Sequence, residues 1–154
     1  MTPEEIARLQ RSKAKLPEFL DELGPVLDDF IERLGIKSEH DLRLHVGKYA
    51  AALGQRLENM AVSDEDDRTW LAARMIYFVG EYFVQKYGGH WFVYDIPGNP
   101  MFGRYVVGQF AHAANPDMVV DLIQFALNYV DAPPPRNLVK KLADIDAVLT
   151  GSPH

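Results

Sequence analysis

The stretch MIYFVGEYFV, residues 75–84, lies inside the most apolar window of the chain, which spans residues 71–84. Arg74 and Glu81 interrupt this window, and together with its length they make it too short and too polar to span a bilayer. The window therefore predicts a buried core helix. Ser63 with Asp66 is expected to cap this helix at its start, and Gly88-Gly89 is expected to end it.

Gly80 and Glu81 are unusual residues for the interior of an apolar helix. Glu81 is a carboxylate in apolar surroundings, and a buried carboxylate must be paired, hydrogen-bonded or protonated. We predict a structural partner, with Arg74, Arg104 or a tyrosine hydroxyl as candidates; the alternative is a general acid or base. Gly80 costs about 1 kcal/mol relative to alanine inside a helix. It therefore predicts the close approach of another element, such as a hairpin backbone.

The spacing of the hydrophobic residues changes from a helical to a strand-like pattern after Gly88-Gly89. Residues 91–96 (WFVYDI) and 102–107 (FGRYVV) are β-branched and aromatic runs, and the turn-rich PGNP at residues 97–100 separates them. This pattern predicts an antiparallel β-hairpin. A two-stranded hairpin is marginally stable alone, so we expect Trp91 to be buried against the central helix.

Caps and spacing predict further helices on both sides of this core. Thr2, Pro3 and Glu5 form a capping-box start, and Pro17 and Gly24-Pro25 are expected to separate this first helix from the next. The remaining predicted helices cover residues 26–34, ended by Gly35; residues 42–60, capped by Ser38 with Asp41; residues 115–130, opened by Asn115-Pro116; and residues 138–149, after the spacer 132–135.

These elements predict a predominantly helical α+β fold, a helical domain with one antiparallel β-hairpin packed on a central apolar helix. Residues 1–154 are expected to form a single domain. Its parts are the N-terminal helices (1–62), the central helix with the hairpin and an amphipathic helix (63–131), and the proline-rich spacer with a C-terminal helix (132–150), before a frayed tail (151–154).

Composition narrows the function classes. The 154 residues include 22 acidic and 16 basic side chains, a formal net charge of −6, which argues against a general affinity for nucleic acid or an anionic membrane. The lack of cysteine removes disulfides and thiolate chemistry, and it fits a reducing compartment. The start, MTPEEIARLQ, does not read as a signal peptide, so we expect a cytoplasmic protein.

Residues with metal-binding or catalytic chemistry form no known motif. The acidic run 64–67 is expected to complement a helix dipole, with a charged docking patch as the alternative. His40 and His45 are predicted about 140° apart on one helix, too far round to chelate, with His45 partly buried in the core. His90 and His112 are expected near the open end of the hairpin without a third ligand. We therefore expect no metal site, no cofactor and no catalytic residues of known type.

A succession of short motifs resembles a known group of proteins. The motifs are GEYF (80–83), GGHW (88–91), PGNP (97–100), FGRYVVG (102–108) and NPDMVVDLI (115–123). Within residues 75–130 they look like small uncharacterised bacterial proteins with a helix–GGxW–β-hairpin–helix core, some of which are associated with polymorphic toxins as immunity proteins. The resemblance implies an α+β single domain with a non-enzymatic inhibitory or accessory role, and it supplies no catalytic residues.

Two hypotheses about function remain. The first is a non-enzymatic protein–protein interaction module, an immunity or antitoxin-like inhibitor whose partner is a toxin-like target or a second copy in a homodimer. Its predicted binding residues are interface-type side chains of the hairpin: Trp91, Tyr94, Arg104 and Tyr105. The second is a small-molecule-binding protein or an enzyme. Its predicted pocket lies between the hairpin and the helices, lined by Glu81, His90, His112 and Arg104.

Overall fold

The central helix α4 (Glu65–Tyr87) organises the fold, which was obtained as a computed structural model that describes residues 1–151. Asp64 caps its start by accepting a 2.8 Å hydrogen bond from the Asp67 N–H, and Gly88 ends it with a left-handed φ of 65°. The predicted core helix and its glycine stop are confirmed. The cap is Asp64 and not Ser63, whose hydroxyl instead donates to the Asp67 carboxylate.

Helices flank α4 on both sides, and one two-stranded sheet packs beside it. The elements are α1 (Pro3–Arg33), α2 (Leu42–His45), a 3-10 helix (Val46–Tyr49), α3 (Ala50–Leu57), α4, β1 (His90–Val93), β2 (Tyr105–Gly108), α5 (Leu122–Asp131) and α6 (Leu138–Thr150). The predicted α+β, predominantly helical class is confirmed. None of the helices in residues 1–151 combines the length and the apolar character needed to cross a bilayer.

The N-terminal region is one long helix, so the predicted division at Pro17 and Gly24-Pro25 is wrong. Both prolines lie inside α1, where each lacks the N–H of a normal helical hydrogen bond. The helix continues because one face is buried along its length against β1 and α4. That burial, through residues such as Leu27 and Phe30, outweighs two lost hydrogen bonds.

The helix predicted over residues 42–60 is interrupted after one turn. Asp41 caps α2 by accepting from the Arg43 N–H, and a 3-10 helix then separates α2 from α3. In a continuous helix the Val46 N–H would donate to the Leu42 carbonyl. Here the side-chain amide of Gln85 stands between them: it accepts from Val46 at 2.8 Å and donates to Leu42 at 3.0 Å. An inserted side chain of this kind breaks a helix.

The helix predicted from Asn115-Pro116 begins later than expected. Asp121 caps α5 by accepting a 3.1 Å hydrogen bond from the Gln124 N–H, so the helix starts at Leu122. The residues before it serve the sheet instead, because the Val120 N–H donates to the Val107 carbonyl at 2.8 Å. This bridge covers the outer edge of β2, where an unpaired strand would otherwise be open to another chain.

The hairpin is confirmed, with strands somewhat shorter than predicted and Trp91 opposite Val107. Its indole lies over Gly80, where an added Cβ would stand 2.1 Å from Cη2 and 2.2 Å from Cζ2 of Trp91. The predicted close approach at Gly80 is therefore present, and the approaching group is a side chain. Phe19 of α1 covers the other side, with its ring centroid 5.2 Å from that of Trp91.

We predict that Gly80→Ala destabilises the fold by about 1–3 kcal/mol, because the new methyl group overlaps the Trp91 ring. The measurement is the free energy of unfolding in urea. In a Trp91→Ala background the same substitution is expected to cost little, since the colliding ring is gone.

Gly54→Ala in α3 is the matched control. An added Cβ there would lie 3.5 Å from the Leu138 Cβ, an ordinary contact, so alanine should stabilise by up to about 1 kcal/mol. Equal effects of the two substitutions would contradict the crowding at Gly80.

Candidate functional site around helix α2

Glu81 has hydrogen-bond partners on two elements. Its Oε1 accepts from the Trp91 indole Nε1 at 2.9 Å, and its Oε2 accepts from the Gln85 amide at 3.2 Å. The structural partner predicted for this carboxylate is present, but none of the candidates named from the sequence provides it. Arg74 instead stacks on Trp70, with 4.3 Å from its guanidinium carbon to the ring centroid.

These contacts form a relay from the hairpin to α2, which we call the Glu81–Gln85 relay. Trp91 orients Glu81, Glu81 orients the Gln85 amide, and Gln85 bonds the Leu42 carbonyl and the Val46 N–H. A helix of one turn has little stability of its own. The relay therefore fixes α2 in place between α1 and α4.

Two cavities flank α2. The Arg43 cavity, about 280 Å³, lies between α1, α2 and α4 and is lined by Leu20, Asp21, Leu23, Gly24, Pro25, Arg43 and Glu81. The Leu44 cavity, about 320 Å³, opens on the other side and is lined by Leu44, His45, Gly47, Lys48, Tyr82, Gln85 and Lys86. Successive residues of α2 thus face different cavities.

The Leu44 cavity carries positive charge. Lys86 donates to the Tyr82 hydroxyl at 3.0 Å and to the Asp146 carboxylate at 3.1 Å. Burial opposes its charge, but the bonds to Tyr82 and Asp146 outweigh burial and raise the pKa of Lys86 above its usual value. Lys48 makes no ion pair within residues 1–151.

The Asp146 carboxylate joins α6 to α4 beside this cavity. The Tyr82 hydroxyl donates to it at 2.8 Å and the Tyr87 hydroxyl at 2.5 Å. Burial, and then the bond to Asp146, raises the pKa of Tyr87 above its ordinary value. These tyrosines stay neutral through the physiological range and act as hydrogen-bond donors.

The four predicted hairpin residues make contacts within the chain. The Tyr105 ring packs on Phe19, and its hydroxyl donates to the Ser12 carbonyl at 3.1 Å. Arg104 pairs with Asp121 at 3.2 Å. Tyr94 lies beyond β1, where its hydroxyl accepts a 3.5 Å bond from the Asn99 amide; Trp91 belongs to the relay. Their role in binding a partner stays a prediction.

The predicted pocket of Glu81, His90, His112 and Arg104 is not the cavity at Glu81. Glu81 lines the Arg43 cavity, whereas Arg104 is held by Asp121 at the start of α5. His90 is exposed on β1, and His112 is exposed beside Gly88. The structure thus gives these residues different neighbours, and their role as a shared pocket stays a prediction.

His40 and His45 also differ from expectation. His40 lies before the Asp41 cap and so outside the helix, which brings its ring to 6.1 Å from that of His45. His45 is exposed and not a core residue. No three His, Asp or Glu side chains are grouped to hold a metal ion anywhere in residues 1–151.

Arg136 is a buried residue that the sequence did not single out. It is only 6% exposed, and its guanidinium donates to the carbonyls of Leu57 at 3.1 Å and Met60 at 2.8 Å. A cation at the end of α3 satisfies carbonyls that lack helical partners. Its position after three prolines gives no sequence signal for burial. Arg43 and Leu44 likewise show no sequence pattern that would identify them as site residues.

Comparison with protein-family models, with curated proteins and with solved structures finds no match to this chain. The chemistry of the site therefore rests on its own geometry. That geometry provides one cavity with facing acidic and basic groups, and one cationic cavity beside an exposed leucine.

We predict that Gln85→Ala lowers the free energy of unfolding by about 1–3 kcal/mol, because it leaves buried polar groups at Leu42 and Val46 unsatisfied. Urea denaturation measures the change. Gln55→Ala, on the exposed side of α3, is the control and should cost much less. Equal losses in the two variants would show that Gln85 does not hold α2.

Proposed function

We propose that this chain is a non-enzymatic protein–protein interaction module that binds its partner through α2. The observation that carries the proposal is the exposure of Leu44. Its side chain is 67% exposed, the highest value among the large apolar residues of the described chain. It lies at a cavity with His45, Lys48 and Lys86, and these four residues are here called the Leu44 patch.

A single exposed leucine is ordinary on a protein surface, but the charged residues around Leu44 indicate what kind of partner would bind there. Because Leu44 is 67% exposed, a partner that buries it would gain about 1–2 kcal/mol from that side chain alone. No carboxylate lines the cavity, whereas the chain as a whole has a net charge of −6. Lys86 is already paired with Asp146, whereas Lys48 makes no ion pair within residues 1–151. Lys48 therefore favours a partner segment in which an apolar side chain is flanked by aspartate or glutamate.

The rigidity of α2 also supports a binding role. The Glu81–Gln85 relay holds the helix before any partner arrives. A surface that is ordered in advance loses less conformational entropy on binding. This favours recognition by a fixed patch over folding on contact.

The resemblance of residues 75–130 supports a narrower form of the proposal. In that form the chain is an immunity or antitoxin-like inhibitor, and the acidic partner segment belongs to a toxin-like target. The proposal includes a cytoplasmic location, which the lack of cysteine favours, and no role for nucleic acid, which the negative charge disfavours. It requires no cofactor.

We predict that a random heptapeptide library selected on the immobilised chain yields sequences with an apolar residue flanked by aspartate or glutamate. Leu44→Asp and Lys48→Glu should each weaken binding of a selected peptide by about tenfold, which is about 1.4 kcal/mol. Isothermal titration calorimetry measures the affinities.

Val139→Asp and Lys13→Glu are the matched controls, because they change an exposed apolar residue and an exposed lysine on other helices. Neither should alter affinity. Peptides that lack acidic residues, or binding that is lost in Tyr105→Ala but kept in Leu44→Asp, would overturn the proposal and favour the hairpin surface.

A further inference from the structure

Residues of opposite charge line the Arg43 cavity without forming an ion pair with each other. Arg43 comes from α2 and Glu81 from α4, and both line the same space of about 280 Å³. No ion pair joins them, or engages either one, within residues 1–151. The cavity is thus lined by a guanidinium and a carboxylate that are not engaged in an ion pair within residues 1–151.

The Glu81 carboxylate is held in the relay through both of its oxygens. One oxygen holds the Trp91 indole at 2.9 Å and the other holds the Gln85 amide at 3.2 Å. A carboxylate has about four acceptor positions, so two bonds leave capacity for a further donor. Glu81 is therefore a fixed acceptor with free lone pairs at the cavity wall.

The Arg43 guanidinium lies against α1 at Gly24. Its Nε and Nη2 lie 3.1 and 3.2 Å from the point where a Cβ at Gly24 would stand, so the missing side chain gives the guanidinium room against the helix. A guanidinium presents paired N–H groups that match a carboxylate in a bidentate geometry.

The next residue, Pro25, adds an acceptor to the same cavity. Proline has no N–H, so the carbonyl of Asp21 lacks the donor that normally lies four residues later in a helix. Asp21 lines the cavity, and its carboxylate lies on the same element. Carbonyl and carboxylate oxygens of this kind suit the three donors of an ammonium group.

We infer that the Arg43 cavity binds a small zwitterion of the α-amino-acid class. The ligand's carboxylate meets Arg43, and its ammonium group meets Glu81 and Asp21. Leu20, Leu23 and Pro25 supply apolar surface for a short side chain. A simple anion would meet two carboxylates and a simple cation would meet Arg43, whereas a zwitterion can pair with both signs of charge. The inference is independent of the proposed partner surface at Leu44.

The test titrates each of the common L-amino acids into the full chain and measures its affinity by isothermal titration calorimetry. For the tightest probe, the analogues that lack either the ammonium or the carboxylate group are compared. If that probe is leucine, these are 3-methylbutylamine and 4-methylpentanoate. The inference predicts saturable binding below about 10 mM and a loss of at least about tenfold for each analogue.

Arg43→Gln should weaken binding of the tightest amino acid by about tenfold or more. Arg11→Gln, which changes an exposed arginine of α1, should leave it unchanged. The Arg43 side chain is exposed and takes no part in the relay, so its variant should fold normally and a loss of binding reports on the site itself. Absence of amino-acid binding, equal binding of an analogue, or full binding by Arg43→Gln would each overturn the inference.

Discussion

The side-chain amide of Gln85 makes two hydrogen bonds that replace one backbone hydrogen bond of a continuous helix. The shape of the surface around α2 depends on these two bonds. The Val46 N–H and the Leu42 carbonyl would bond each other in a continuous helix, but both bond Gln85 instead. Glu81 orients the amide, and Trp91 orients Glu81. The bare backbone at Gly80 allows the indole to come close enough for this geometry. A packing feature of the core is thereby connected to the exposed turn that carries the candidate binding groups.

This arrangement explains how one helical turn serves two surfaces. Neighbouring residues on a helix point in directions about 100° apart, so Arg43 and Leu44 face separate cavities. We propose that the Leu44 patch binds a protein segment and infer that the mixed charges at Arg43 bind a small zwitterion. The hairpin contributes indirectly: its face is covered by α1, and its indole supports the relay.

Local sequence signals account for the parts of the fold where packing and propensity agree. The apolar window, the glycine stop and the aromatic runs predict α4 and the hairpin, and the isolated Gly80 predicts crowding in a helix. These local signals mispredict the structure where a contact with residues distant in the sequence overrides them. Pro17 and Pro25 are accepted because α1 is buried along its length, and the break after α2 is made by a side chain some forty residues away. In the sequence Leu44 and Arg43 look like ordinary helix residues, since only the three-dimensional structure exposes Leu44 and places Arg43 at the same cavity as Glu81.

A double-mutant cycle between Trp91 and Gln85 tests the relay most directly, because these two residues have no hydrogen bond to each other and meet through Glu81. Trp91→Phe removes the indole donor, Gln85→Ala removes the amide, and urea denaturation gives the free energy of unfolding of both single variants and the double variant. The relay predicts an interaction energy of about 0.5 kcal/mol or more, as found for residues in one hydrogen-bond network. Additivity within about 0.3 kcal/mol would mean that the hairpin and α2 are independent, and it would contradict the account.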